Sequence, residues 1–187
     1  DATYDSLVGE WRIYQRDKGH KTSTDDVLTA WLARRRMQER SPHRYLDLGC
    51  GIGSVLLMTC HAVRPEYALG IEAQQQSATL AAASIEGLPS QQPIELVQGD
   101  FREALERVAS FDLVTGSPPY FPVGSGVMPE DYQRSACRFE LRGGVEAYCA
   151  AADRAMAPDA EFVLVYQTQW DERVMQAAKQ SGLKLYE

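Results

Sequence analysis

Between Arg44 and Gln180 the chain alternates short apolar runs with longer stretches of helical period, and that alternation leaves few folds open. Strands are predicted over Tyr45–Leu48, Tyr67–Ile71, Ile94–Val97, Phe111–Thr115 and Glu161–Tyr166. Helices are predicted over Gly53–Val63, Ala73–Glu86, Glu103–Val108, Val145–Met156 and Asp171–Gln180. Strands separated by helices of this length pair in parallel, and right-handed crossovers place helices on both faces. The fold class expected is α/β, a Rossmann-like doubly wound sheet in a single domain over 1–187, with ligands at the carboxyl ends of the strands. Leu183–Glu187 reads as the beginning of a sixth strand, so the C-terminal strands are expected to be truncated.

Ahead of this alternation, Trp11–Arg16 has the pattern of a short strand and Asp17–His20 that of a turn. Ser23 or Thr24 then caps a helix that opens on Asp25 and Asp26 and closes on Arg34, Arg35 and Arg36, the charge order its dipole favours. Net charge is −7, from 26 acidic and 19 basic residues, which taken alone argues against a nucleic-acid binder. The basic residues, however, concentrate between Arg12 and Arg44. That asymmetry fits a phosphate-facing edge and fits a solvated helix face equally. No apolar run approaches the length of a membrane span. The four cysteines form no C-x-x-C pair and have no histidine at ligand spacing, so no metal site is expected. Scattered free thiols suit a reducing, cytoplasmic compartment.

The strongest local signal is Asp47-Leu-Gly49-Cys50-Gly51-Ile-Gly53, directly after a strand and opening a helix. Glycines there allow a tight turn and the close approach of a ligand. The G-x-G-x-G spacing differs from the G-x-G-x-x-G that seats a pyrophosphate. Glu72, followed by Ala73, ends the second strand of the alternation about 20 residues later, where an acid takes ribose hydroxyls. Asp100 and Phe101 follow the third strand, where a carboxylate or its neighbouring amides meet an adenine edge. Asp47 is placed to orient the glycine loop or an ammonium group. Acidic residues around the first turn repel phosphate and suit a cationic sulfonium with an amino-acid moiety, so the cofactor predicted is S-adenosyl-L-methionine rather than NAD.

After the fourth strand comes Gly116-Ser117-Pro118-Pro119-Tyr120-Phe121. Two consecutive prolines continue neither strand nor helix, which makes this a rigid ledge at the carboxyl edge of the sheet. The segment resembles the amino-methyltransferases, whose motif is Asn, Asp or Ser followed by Pro-Pro-Tyr. That resemblance implies catalytic roles for Ser117, Pro118, Pro119 and Tyr120. The polar side chain and the first proline's carbonyl accept hydrogen bonds from the target amine, and the aromatic stacks on the target's ring.

A wider resemblance runs through Gln15-Arg-Asp-Lys-Gly-His-Lys21-Thr-Ser-Thr24-Asp25-Asp-Val-Leu28, which is similar to bacterial tRNA adenine-N6 methyltransferases. It implies that residues 1–40 form a hairpin-and-helix extension closing over the cofactor, with Lys21, Thr24 and Asp25 near its methionine part. The implied partner is an RNA, with tRNA first, and no membrane. Ser117 departs from the asparagine usual in that family. The motif leaves two other readings open, a protein glutamine-N5 methyltransferase and a catalytically impaired cofactor-binding protein.

The stretch from Pro122 to Gly144 is glycine-rich, with Gly124, Gly126, Gly143 and Gly144, and basic, with Arg134, Arg138 and Arg142. A loop of that length in a compact domain is a substrate-contacting lid or a disordered surface segment. On the first reading Tyr120, Phe121 and the three arginines bind substrate.

Overall fold

The computed structural model describes residues 1–38, 40–105, 110–125 and 130–186. An antiparallel hairpin, β1 (Ala2–Val8) and β2 (Trp11–Arg16), precedes α1 (Thr24–Met37). The alternation then runs β3 (Arg44–Leu48), α2 (Ser54–Val63), β4 (Tyr67–Glu72), α3 (Gln75–Glu86), β5 (Ile94–Gln98), α4 (Phe101–Ala104) and β6 (Phe111–Gly116). After the ledge come α5 (Tyr132–Arg138), α6 (Val145–Ala155), β7 (Met156–Leu164), a 3₁₀ turn at Thr168–Trp170, and α7 (Asp171–Gln180).

The five later strands form one sheet in the order β5-β4-β3-β6-β7, every pairing parallel. Chain direction across the sheet reverses between β3 and β6, so the crevice beyond their carboxyl ends is the topological switch point. Strand alternation divides the core. Tyr45 faces Ala33 and Met37 of α1 and Leu56, Leu57 and Cys60 of α2. Leu46 and Leu48 belong to the opposite layer, with Phe101, Tyr148, Ala151 and Ala152 of α4 and α6. Helix α7 packs its Ala177 and Ala178 on Val145 and Cys149 of α6. The expected Rossmann-like doubly wound sheet is what the chain forms.

Three expectations are corrected, and one strand without a sequence signal of its own is added. Strand β1 escapes the sequence pattern because its residues are half-exposed and lack period-two alternation. It forms by pairing on β2, where Tyr4 stacks on Tyr14 with ring centroids 4.3 Å apart. The helix expected over Glu103–Val108 begins earlier, at Phe101, because Asp100 caps it through the amide of Arg102; residues 106–109 lie outside the described residues. Strand β7 starts five residues before the expected Glu161, carried by its pairing with β6. Leu183–Tyr186 adopts no strand conformation, and Glu187 lies outside the described residues.

The stretch 122–144 is also more ordered than a glycine-rich lid implies. Asp131 accepts a hydrogen bond from the amide of Arg134 and caps α5, whose Gln133 and Ser135 are buried. Gly126 lies outside the described residues. Polar contacts moor α5 to β2 of the N-terminal extension and to α3. Arg16 pairs with Asp131 at 2.7 Å and donates to Gln133 Oε1 at 3.2 Å, and Gln133 Nε2 donates to Ser77 Oγ at 3.0 Å.

Candidate active site

The carboxyl ends of β3, β4, β5 and β6 open into one cleft with about 1060 Å³ of empty volume, closed above by the N-terminus of α1 and by α5. Most of the predicted residues meet there: Asp25, Asp47, Gly49, Cys50, Gly51, Glu72, Ala73, Asp100, Phe101, Ser117, Pro118, Pro119, Tyr120 and Arg142 all line it. Lys21, Thr24, Gly53, Phe121, Arg134 and Arg138 do not. Lys21 is exposed ahead of α1 and Thr24 at its first position, and Gly53 caps α2 at φ 91°. Phe121 packs on Phe139, with the Arg138 guanidinium 5.7 Å from its ring centroid, and Arg134 and Arg138 are exposed on α5.

The glycine turn is built from three residues with positive φ, Gly49 (62°), Gly51 (58°) and Gly53 (91°). A Cβ on Gly49 would fall 2.5 Å from the hydroxyl of Tyr148, so only glycine lets α6 approach the turn. A Cβ on Gly51 would meet nothing within 4 Å, which leaves that side of the turn open to a ligand. Glu72 braces the turn from β4. Its Oε2 accepts from the Gly51 amide at 2.8 Å and its Oε1 from the Gln74 amide at 2.6 Å. Burial raises its pKa against the opposing pull of these amides.

Asp47 is 2% exposed. Its Oδ1 accepts from Thr115 Oγ1 at 2.7 Å, and because that hydroxyl's proton is committed, Tyr45 Oη donates to Thr115 in turn, also at 2.7 Å. Asp47 Oδ2 has no hydrogen-bond partner among the described residues, and burial pushes the carboxyl up to about 7. Asp100, in contrast, is engaged by Arg102 through two contacts of 2.9 and 2.6 Å, which holds its carboxyl low.

At the ledge, Ser117 Oγ is buried without a partner among the described residues. The Tyr120 hydroxyl donates to Asp25 Oδ2 at 2.6 Å, and the Tyr120 ring meets that of Tyr166 edge-on at 5.1 Å. Tyr166 also donates to the Pro119 carbonyl at 3.3 Å. Asp25 is free to hold Tyr120 because its neighbour Asp26 completes the helix cap, exchanging hydrogen bonds with Ser23.

Sequence reasoning missed several residues of the cleft: His20, Asp26, Gln74, Cys137, Phe139 and Tyr148. Burial lowers the His20 pKa against the opposing charge of Asp26. Tyr148 alone had a visible signal, as a large aromatic on the apolar face of a helix that follows the ledge. Among the described residues no group of three His, Cys, Asp or Glu is arranged to hold a metal, and no helix is long and apolar enough to cross a membrane.

Comparison with known proteins places this geometry. No family model matches the chain. A protein of Yersinia enterocolitica named tRNA1(Val) (adenine(37)-N6)-methyltransferase is 26% identical over 165 residues, covering 87% of this chain; the chain spans 63% of that relative's length. A structure titled as an S-adenosylmethionine-dependent methyltransferase from Agrobacterium tumefaciens superposes with a TM-score of 0.65 at 18% identity, over 95% of this chain and 57% of that one. One titled precorrin 8W decarboxylase, from Methanobacterium thermoautotrophicum, gives 0.63 at 15% identity, over 91% and 78%. The fold of this chain is the Rossmann-like fold of the class I methyltransferases.

Proposed function

We propose that the chain is an S-adenosyl-L-methionine-dependent methyltransferase acting on an exocyclic amino group, adenine N6 of a tRNA or another structured RNA. One observation carries the reading: two buried oxygens without partners among the described residues, Asp47 Oδ2 and Ser117 Oγ, belong to residues lining the same cleft. The first suits a cation and the second an amine. The cofactor supplies a methyl group on a cationic sulfur. Asp47 and Glu72 would hold its positively charged and ribose portions, and the open side of Gly51 gives its backbone approach.

The chain's own contribution at the acceptor is electrostatic preorganisation. An exocyclic amine is a poor nucleophile because its lone pair is delocalised into the ring. Ser117 Oγ and the Pro118 carbonyl, accepting its two N–H groups, favour the pyramidal nitrogen in which that pair becomes available. Tyr120 offers a ring for stacking on the base, and its hydroxyl is tied back to Asp25, away from that role. Arg142 lies at the rim, donating to the Tyr132 hydroxyl at 2.8 Å, where it can meet a phosphate. The names carried by the Yersinia relatives support tRNA adenine as the acceptor.

The test is single-turnover transfer of labelled methyl to bulk tRNA, rRNA and a glutamine-bearing release-factor peptide, followed by nucleoside mass spectrometry. Label in N6-methyladenosine is expected. Label confined to the peptide would overturn the RNA assignment in favour of glutamine N5. Cofactor binding with no transfer to any acceptor would make this a catalytically impaired cofactor-binding protein.

A further inference from the structure

Helix α1 turns Met37 and Leu32 to the core but sends three other large apolar residues to solvent. It buries Thr29, Ala30, Ala33 and Met37, yet leaves Val27, Leu28 and Trp31 at 50%, 42% and 52% exposure. Leu28, Trp31 and Arg35 follow at helical spacing, so they share one solvent-facing stripe. The Arg35 guanidinium lies 5.3 Å from the Trp31 ring centroid, a cation beside an exposed aromatic. Arg34 and Arg35 are exposed and make no ion pair with a described residue. Arg36 is different, held by Glu161 through contacts of 3.2 and 2.9 Å, and so is spoken for.

We infer that this stripe is a docking surface for a single-stranded segment of the substrate RNA next to the target base, with Trp31 as a stacking platform and Arg34 and Arg35 on phosphates. The inference rests on the RNA reading proposed above. Three observations favour RNA as the occupant. The chain's net charge is −7, so a polyanion approaches it favourably only at a local basic surface, and the basic residues concentrate in the stretch containing α1. An exposed aromatic interleaved with arginines that pair with no described acid is the pairing that single-stranded nucleic acid uses, bases on the ring and backbone on the cations. Finally, the stripe starts at the cleft. Asp25, in the first turn of the same helix, lines the cleft and holds Tyr120, and Trp31 lies six residues further, roughly 9 Å along the axis.

The experiment is binding of fluorescein-labelled bulk tRNA by fluorescence anisotropy, with labelled methyl transfer measured in parallel. Trp31→Ala should raise the tRNA dissociation constant about tenfold, the size of one lost base stack, while cofactor affinity by calorimetry and the melting temperature stay unchanged. Trp31→Phe should recover most of the loss. Arg34→Glu combined with Arg35→Glu should weaken binding and flatten its log–log salt slope by about two. Wild-type-like tRNA affinity in Trp31→Ala would overturn the inference, even where methyl transfer to RNA proceeds. Loss of tRNA affinity in that variant, from a protein that transfers no methyl to RNA, would uphold the docking surface and overturn the proposed activity. A Trp31→Ala effect seen only as altered self-association in sedimentation, or a wild type that binds no tRNA, would also overturn it.

Discussion

Tyr120 donates a 2.6 Å hydrogen bond from its phenol to Oδ2 of Asp25, joining the Pro-Pro-Tyr ledge after β6 to the first turn of α1. The two residues are 95 positions apart in sequence. Their contact makes the N-terminal extension part of the wall of the cleft, so a change in the extension reaches the ledge directly. Burial, and after it the hydrogen bond to Asp25, raises the phenol's pKa, so Tyr120 stays protonated and keeps donating throughout the neutral range.

Tyr120→Phe and Asp25→Ala should therefore have similar, moderate effects on methyl transfer, about tenfold each, because both loosen the ring without removing it. The double variant should be no worse than either single one, the signature of a shared interaction. Tyr120→Ala should cost more than either, since stacking is lost as well. Single-turnover rates on tRNA check this, and additive losses would separate Asp25 from the ledge.

Glu72 carries a structural duty beyond any contact with ribose. Both its oxygens already accept backbone amides, from Gly51 and Gln74. Glu72→Ala should thus lower the melting temperature as well as cofactor affinity, with charged hydrogen bonds worth about 1.5–3 kcal/mol each at stake. Glu72→Gln retains one acceptor oxygen and should fall between. Calorimetric titration alongside thermal unfolding separates the two losses.

Asp47 predicts a pH dependence of unusual sign for a carboxylate. Its folded pKa of about 7 stands above the ordinary unfolded value of about 3.9. Between those values the folded chain holds a proton that the unfolded chain has released. Stability from this group therefore falls as pH rises from about 4 through about 7. Asp47→Asn should match the wild type near pH 4 and exceed it at pH 8, by something on the order of 2–4 kcal/mol. Binding of a cationic cofactor favours the ionised form, so affinity should rise through pH 7 with release of a proton. Calorimetry in buffers of different ionisation enthalpy measures that proton. Binding without proton release would remove Asp47 from the cationic site.

Much of this arrangement was legible in the sequence because it depends on local signals. Asp47, the glycine triplet, Glu72, Asp100 and the Ser-Pro-Pro-Tyr run each sit at a strand's carboxyl end, and parallel-sheet topology gathers strand ends into one crevice. What escaped depends on contacts between distant segments. Strand β1 has no pattern of its own and needs β2 to pair with. Helix α5 was hidden by flanking glycines, although Asp131 three residues before Arg134 is a cap signal, and its mooring requires Arg16 and Ser77. The resemblance points to Lys21, Thr24 and Asp25 together; of these Asp25 lines the cleft and Thr24 does not, since adjacent helical residues point about 100° apart.

The hydroxyl of Ser117, without a partner among the described residues, supports the last prediction. A buried hydroxyl without a hydrogen bond costs stability, roughly 1–3 kcal/mol, and that cost is recovered when a ligand or a water supplies a partner. Ser117→Ala should therefore leave the empty protein equally or slightly more stable, because it removes the unsatisfied group. The same change should slow methyl transfer, mainly in kcat, because the lost acceptor matters most as the amine becomes pyramidal. Preorganised oxyanion-hole donors suggest a scale of about a hundredfold for one such partner. Ser117→Asn offers an amide oxygen further from the backbone and should retain or raise activity on the same RNA, provided the longer side chain fits beside Pro118. Opposite signs in stability and activity are what distinguish a functional hydroxyl from a packing one. If Ser117→Ala lowers the melting temperature and leaves kcat untouched, the hydroxyl is structural and the amine is held elsewhere.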